Sequence, residues 1–509
     1  MRILLGLSLL LLADRGHAQP SVIDQIFGRA DIETMTLAES GEFHAMTRLK
    51  DGRQVLEARR VEGNVMHFST QPESGRIVDF RLLPQRRLAW VVRVGDGAKA
   101  RDTLSLVHLS TRKQRTVFSA DRIRFPHLVP ADMYGFELLV DSLGRRPKTE
   151  LRRVEFEQGK GELVSRLSGT CELINDAAGA LRFADCMDTR EGAGHVHLQR
   201  RDDGGKWIPM SLEGLDATQR LVGTFADGSL LLLELPAAGG SRVWRLKNGE
   251  RQELSASQSR QPTVWMRSFD GRSIIGALWL TGDPNAEIFD PGHPDASRYL
   301  QWTIQHPGTI IDVRGRSFDQ RLTLVALTSA NQSPRFELWH RDQQIPSVLG
   351  RVIAESFAPE GLKREPRQLA LRDERLRDVF VTGGLLPRKH LAVVLASDPP
   401  VWGYVPFVAA LADQGFDVVE LDAPAGSVRE RAEHLLDALK WARNMQMGGD
   451  RPACLFADPE VLAAVKPMLY ALSTECLIGL PAGRIPTLAL QAAPLLEQAA
   501  KLDATEARL

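Results

Sequence analysis

Arg267-Ser-Phe-Asp-Gly-Arg272 recurs as Arg316-Ser-Phe-Asp-Gln-Arg321, with an earlier cousin in Thr224-Phe-Ala-Asp-Gly228. The shared aspartate steps from 227 to 270 to 319, intervals of 43 and 49 residues. Each copy precedes an apolar stretch: Leu230 to Leu235, Ser273 to Leu280, Leu322 to Leu327. Two of them then reach an aromatic stretch, Val243-Trp-Arg-Leu and Phe336-Glu-Leu-Trp. Asp-Gly chemistry favours a tight turn between antiparallel strands. A unit of roughly 40–50 residues matches one four-stranded blade, which buries its faces only against neighbouring blades. From about residue 34 to 350 the sequence continues in short strand-like runs, such as Ile77-Val-Asp-Phe-Arg-Leu-Leu and Leu88-Ala-Trp-Val-Val-Arg-Val. Long helical periodicity is absent there. The expectation is a β-propeller of about seven blades over 19–351. A set of unrelated hairpins that share turn chemistry is the competing explanation.

With 509 residues the chain is too long for one core. Lys+Arg and Asp+Glu are both 64, and no long basic run appears, which sets nucleic-acid binding aside. Arg2, the apolar run Ile3 to Ala13, and small residues Gly16 and Ala18 read as an export signal over 1–18. The run of 11 residues is too short to span a membrane, which takes roughly 20. No span is expected after cleavage, so the protein should be periplasmic or secreted. Cys171 and Cys186 flank the turn-rich Asn175-Asp-Ala-Ala-Gly179 and could bridge or remain two thiols in neighbouring strands. Cys454 and Cys476 sit in apolar runs and read as buried core. No CxxC or HExxH spacing exists, so neither metal nor cofactor is expected.

Residues 352–366 are rich in charge, with Pro359, Gly361 and Pro366, and read as a linker. Beyond it, over 367–509, apolar strands alternate with helices. Strands are expected at Leu391–Ala396, Phe416–Leu421, Ala453–Phe456, Cys476–Leu480 and Thr487–Leu490. Helices are expected at Tyr404–Ala412, Val428–Met445, Val461–Leu472 and from about Pro494. This pattern predicts a parallel α/β sheet and makes the whole chain β plus α/β.

A propeller followed by an α/β sheet in an exported chain resembles the prolyl oligopeptidase family of serine peptidases. Leu371-Arg-Asp-Glu, His390-Leu-Ala-Val-Val-Leu-Ala, Leu411-Ala-Asp-Gln-Gly-Phe-Asp-Val-Val and Leu436-Asp-Ala-Leu-Lys-Trp441 carry the resemblance. It implies an α/β-hydrolase domain with a serine on a strand-to-helix elbow, a histidine base, an orienting aspartate and main-chain oxyanion donors. The matching positions depart from that pattern. Asp458 stands at the serine position, followed by Pro459, which has no N–H, and Glu460, which adds negative charge. Asp458 and Pro459 suit a helix N-cap and first turn. In the oxyanion loop, Ser397, Asp398, Pro399 and Pro400 replace the family's His-Gly-Gly-Pro. The last histidine is His434, expected to face solvent on a helix. No carboxylate follows Leu490 before Glu497, and no eighth strand is expected before Leu509. Ser427 reads as a helix N-cap, and Cys454 as inert within a strand.

The resulting expectation is a degenerate, truncated hydrolase-like domain with no catalytic residue. Such a protein would bind a peptide or protein partner or act as a scaffold. One alternative is a serine-type peptidase or esterase with an atypical site at Ser397, Ser427 or Asp458. Another is a remnant without selected function.

Overall fold

The computed structural model describes residues 29–50, 53–129, 131–144, 146–159, 161–188, 195–210, 218–236, 240–257, 260–343, 345–354, 361–372, 376–383, 390–397, 400–422, 426–445, 451–469, 474–480, 484–485, 492 and 494–499. Seven antiparallel sheets follow one another through residue 351. The first contains Ile32–Leu37, Phe43–Lys50, Arg53–Arg60 and Met66–Thr70. The others span 76–120, 122–168, 170–209, 219–257, 264–288 and 309–351. Each is one continuous meander, so among the described residues no blade strand is exchanged between blade 1 and blade 7. These two blades join through Ile32, Met35, Leu37 and Met46 packed on Leu324, Ala326, Phe336 and Leu338. A two-residue bridge, Arg29–Ala30 against Ile353–Ala354, adds main-chain hydrogen bonding.

The repeated motif forms the turn between the first and second strands of blades 5, 6 and 7. Asp227 accepts from the N–H and hydroxyl of Ser229. Asp270 accepts from the Ser268 hydroxyl and the Arg272 N–H, and Asp319 accepts from the Ser317 hydroxyl and the Arg321 N–H. The next residue takes a positive φ, +80° at Gly228, +74° at Gly271 and +60° at Gln320. Glycine adopts this conformation freely, which explains its place after the aspartate in two of the three copies.

Blade 6 differs from the expected four strands. Among the described residues it has three, and the helix Pro294–Gln305 follows them. The His293 ring accepts the Asp295 N–H at its start, and Pro294 fills the first turn. Trp302 stacks on Phe269 with ring centroids 5.2 Å apart and meets Trp339 edge-on. The helix thereby fills the space between blades 6 and 7. Its 12 residues are too few for a long periodic signal.

Buried carboxylates tie blades 2 to 5 together. Asp102 of blade 2 takes a bidentate contact from Arg93 and the Ile123 N–H of blade 3. Arg124 of blade 3 holds Asp141 and donates to the Cys171 carbonyl of blade 4. Asp185 of blade 4 accepts the Leu221 N–H of blade 5. Each satisfies a polar group that the blade interface removes from water. Cys171 and Cys186 lie directly opposite on adjacent strands of blade 4, Cα atoms 3.9 Å apart and sulfurs at bonding distance.

The C-terminal part is a six-stranded sheet. Its strands are β1 (Lys363–Ala370), β2 (Leu376–Gly383), β3 (His390–Ala396), β4 (Phe416–Asp422), β5 (Ala453–Ala457) and β6 (Thr474–Gly479), in spatial order β1-β2-β4-β3-β5-β6. From β4 to β6 all neighbours are parallel, but β1–β2 and β2–β4 are antiparallel. The sheet is therefore mixed, not parallel throughout. The stretch 352–366 carries strand pairing at both ends. Ile353–Ala354 pairs with Arg29–Ala30, and Lys363 to Pro366 belong to β1. A proline is tolerated there because β1 is an edge strand. Helices α1 (Pro406–Asp413), α2 (Val428–Asn444) and α3 (Pro459–Val465) cover the sheet. On one face α1 and the helical residues 494–499 bury Phe407, Leu411, Leu495 and Leu496. On the other, α2 and α3 bury Leu435, Leu439, Val461 and Val465. Cys454 and Cys476 belong to the core, as read, and are also directly opposite on β5 and β6 with their sulfurs joined. The strand expected at Thr487–Leu490 and the export segment 1–18 lie outside the described residues.

Two measurements test this account. Gly271→Ala forces a side chain into a positive φ, with its methyl 2.9 Å from Leu128 Cδ2. It should lower stability by about 1–2 kcal/mol in urea unfolding. Glu150, held by Lys148, Arg152 and Arg166, has its pKa lowered to about 2 against the cost of its burial. A depressed carboxyl stabilises above its unfolded pKa near 4.5, and that contribution is lost as pH falls toward 2. Glu150→Gln should therefore flatten the pH dependence of stability between these values, by roughly 1–2 kcal/mol given the partly exposed cations.

Candidate functional site

In parallel α/β sheets the carboxyl ends of the strands present loops and helix N-termini to ligands. Here those ends are Ala396, Asp422, Ala457 and Gly479. Asp458 directly follows β5 and is the N-cap of α3, its carboxylate accepting the Glu460 N–H at 2.9 Å. Its backbone, φ −53° and ψ 138°, is ordinary extended geometry. A nucleophile elbow instead holds its residue in a sharp, strained turn. Pro459 occupies the first helical turn and packs against Gly479. Glu460 is exposed.

Ser427 is the N-cap of α2 and part of a complete capping box. Its hydroxyl accepts the Glu430 N–H at 3.2 Å, while the Glu430 carboxylate accepts the Ser427 N–H at 2.7 Å. Ser397 is exposed just beyond β3, and Asp398 and Pro399 lie outside the described residues. His434 is half-buried on α2 rather than facing solvent, because the helix packs against both the sheet and α3. Nothing described brings it together with Ser397, Ser427 or Asp458. Cys454 is fully buried in β5 and joined to Cys476, which leaves no thiol. Among the described residues no group of three His, Cys, Asp or Glu side chains could hold a metal ion.

The loop after β3 docks this edge on the propeller. The Trp402 N–H donates to the Leu280 carbonyl, and Gly403 lies against Thr328. A buried ion pair supports the loop from behind: Arg364 of β1 reaches across β2 to Glu420 of β4 and donates to the Val401 carbonyl at 3.3 Å. Arg364 also lies 4.4 Å above the Phe380 ring. No local pattern announces this pair, whose partners are 56 residues apart.

Leu280 and Thr328 lie at the far ends of second strands that begin at the Asp turns. The turn end of the propeller thus faces away from the sheet. There the segment after Arg124 crosses the ring, since Leu128 of blade 3 touches Gly271 of blade 6. His127 keeps solvent contact within this enclosure. Desolvation, with Arg267 and Arg81 facing it, lowers its pKa.

No protein-family model matches the sequence, and no curated protein matches it either. Solved structures do match in three dimensions. The acylaminoacyl peptidase of Pyrococcus horikoshii superposes with a TM-score of 0.55 at 9% identity, over 88% of this chain and 77% of that one. Prolyl oligopeptidase B from Galerina marginata gives 0.58 at 10% identity, over 88% and 72%. A post-proline cleaving enzyme from Rickettsia typhi gives 0.57 at 7% identity, over 89% and 76%. The chain shares the overall fold of these peptidases. At such identity the likeness concerns architecture, and the chemistry rests on the residues above.

Capping sets the expected response at Asp458. Replacement by alanine should cost about 1 kcal/mol, and replacement by serine, itself a good cap, should be close to neutral. Urea midpoints of the two variants check this.

Proposed function

We propose that this protein is an exported, catalytically silent relative of the prolyl-oligopeptidase-type peptidases. In this reading the C-terminal sheet is a degenerate α/β-hydrolase domain, and the protein binds a peptide or protein partner between that sheet and the propeller. The observation that carries the reading is the strand-to-helix turn at Asp458. Where a hydrolase needs a strained nucleophile and a donor N–H, this chain has an unstrained cap, a proline without an N–H and a second carboxylate. An oxyanion developing there would meet negative charge. Two joined cysteine pairs support an oxidising compartment, as does the apolar run behind Arg2. Among the described residues no helix is long and apolar enough to cross a membrane.

The experiment is labelling with a fluorophosphonate probe, alongside aminoacyl-nitroanilide turnover. Neither the wild type nor Asp458→Ser should label or turn over, since restoring a hydroxyl restores neither the donor nor the small flanking residue. Stoichiometric labelling of one serine, lost on its replacement by alanine, would overturn the reading. For the binding role, a peptide library passed over the immobilised protein should leave a reproducible retained set. A library that passes unretained removes the peptide-binding part.

A further inference from the structure

We propose that the cleft between blades 2 and 3 is an anion-binding site, built for a small polycarboxylate or phosphate ester. The cleft has a volume of about 480 Å³ and lies on the flank of the propeller. Blade 2 contributes Val117, Phe118 and Ser119, and blade 3 contributes Val140, Lys148, Glu150 and Arg152. Its volume lies within the range of small-molecule sites.

Charge decides what it would hold. Glu150 is anchored with its side chain only 5% exposed, and Lys148, Arg152 and Arg166 all converge on it. Lys148 and Arg166 reach one carboxylate oxygen at 2.9 Å, and Arg152 reaches the other at 2.6 Å. Three cations thus share one negative charge. Arg101 at the rim pairs with Asp121 at 3.1 Å and cancels it. Of the charged residues that line the cleft, Arg101, Lys148 and Arg152 outnumber Asp121 and Glu150, so it keeps an excess of positive charge, held in place by a buried carboxylate. Lysine has three donors and arginine five, so N–H groups remain free to meet a ligand. Charge-assisted contacts to carboxylate or phosphate oxygens are the strong ones. The apolar wall of Val117, Phe118 and Val140 suits the carbon frame of such a ligand.

The test is isothermal titration of the full chain with citrate and, separately, with inorganic pyrophosphate. Saturable binding is expected from at least one, and the tighter of the two tells whether carboxylate or phosphate is preferred. Lys148→Gln and Arg152→Gln should each weaken it about tenfold. Glu150→Gln, which keeps every cation and removes their shared anion, should tighten it. Unliganded melting curves establish that each variant is folded. Absence of saturable heat with both anions overturns the proposal. So do unchanged affinities in the two cation variants, or a Glu150→Gln variant that is folded but binds more weakly.

Discussion

The closure of the propeller ring is the constraint on which the rest of the molecule depends. Among the described residues no blade takes a strand from the other end of the ring. Blades 1 and 7 are held by the faces of Ile32, Met35 and Leu37 against Leu324 and Leu338, and by the short bridge at Ile353–Ala354. A blade leaves one apolar face open unless a neighbour covers it, so an open ring would expose two such faces at once. Closure also sets where the chain leaves the propeller, next to where it entered. From there β1 begins the second sheet within a few residues of the bridge.

Polar groups give the blade interfaces their register. Asp102, Asp141 and Asp185 are buried, and each is satisfied by an arginine as well as by a main-chain or hydroxyl donor. Apolar faces alone can slide, whereas a buried carboxylate that loses its donors is expensive. The same reasoning applies to Arg364 and Glu420, whose pairing fixes the loop that meets Leu280. Among the described residues this loop, steadied by the ion pair, is one of the contacts that join the two halves of the molecule.

At the carboxyl edge of the second sheet, local chemistry and global geometry agree. Ser427 and Asp458 both serve helix termini, and their side-chain oxygens are committed to main-chain N–H groups. The features that would make a hydrolase depend on strain at one residue and free donors around it. Asp458 has an unstrained backbone, and the adjoining proline offers no donor. A fold of this size can keep its strands and helices without that strain, because burial of Leu391–Ala396 and Ala453–Ala457 does not require it.

The amino-acid sequence by itself determined the elements whose causes are local. The Asp turns at 227, 270 and 319 announced the blades, since the aspartate bonds residues only two positions away. The buried strands of the second sheet were legible as unbroken apolar runs, and the caps at Ser427 and Asp458 from their short polar side chains. Tertiary structure alone decided the contacts between distant residues. It set the strand order β1-β2-β4-β3-β5-β6, the joining of Cys454 to Cys476, the place of Pro366 in an edge strand, and the helix that fills blade 6. It also gathered Arg166 onto Glu150 and carried Leu128 across the ring to Gly271. The reason is physical: turn and cap energies depend on a few neighbouring residues, whereas pairing order and charge clusters depend on which faces the closed ring brings together.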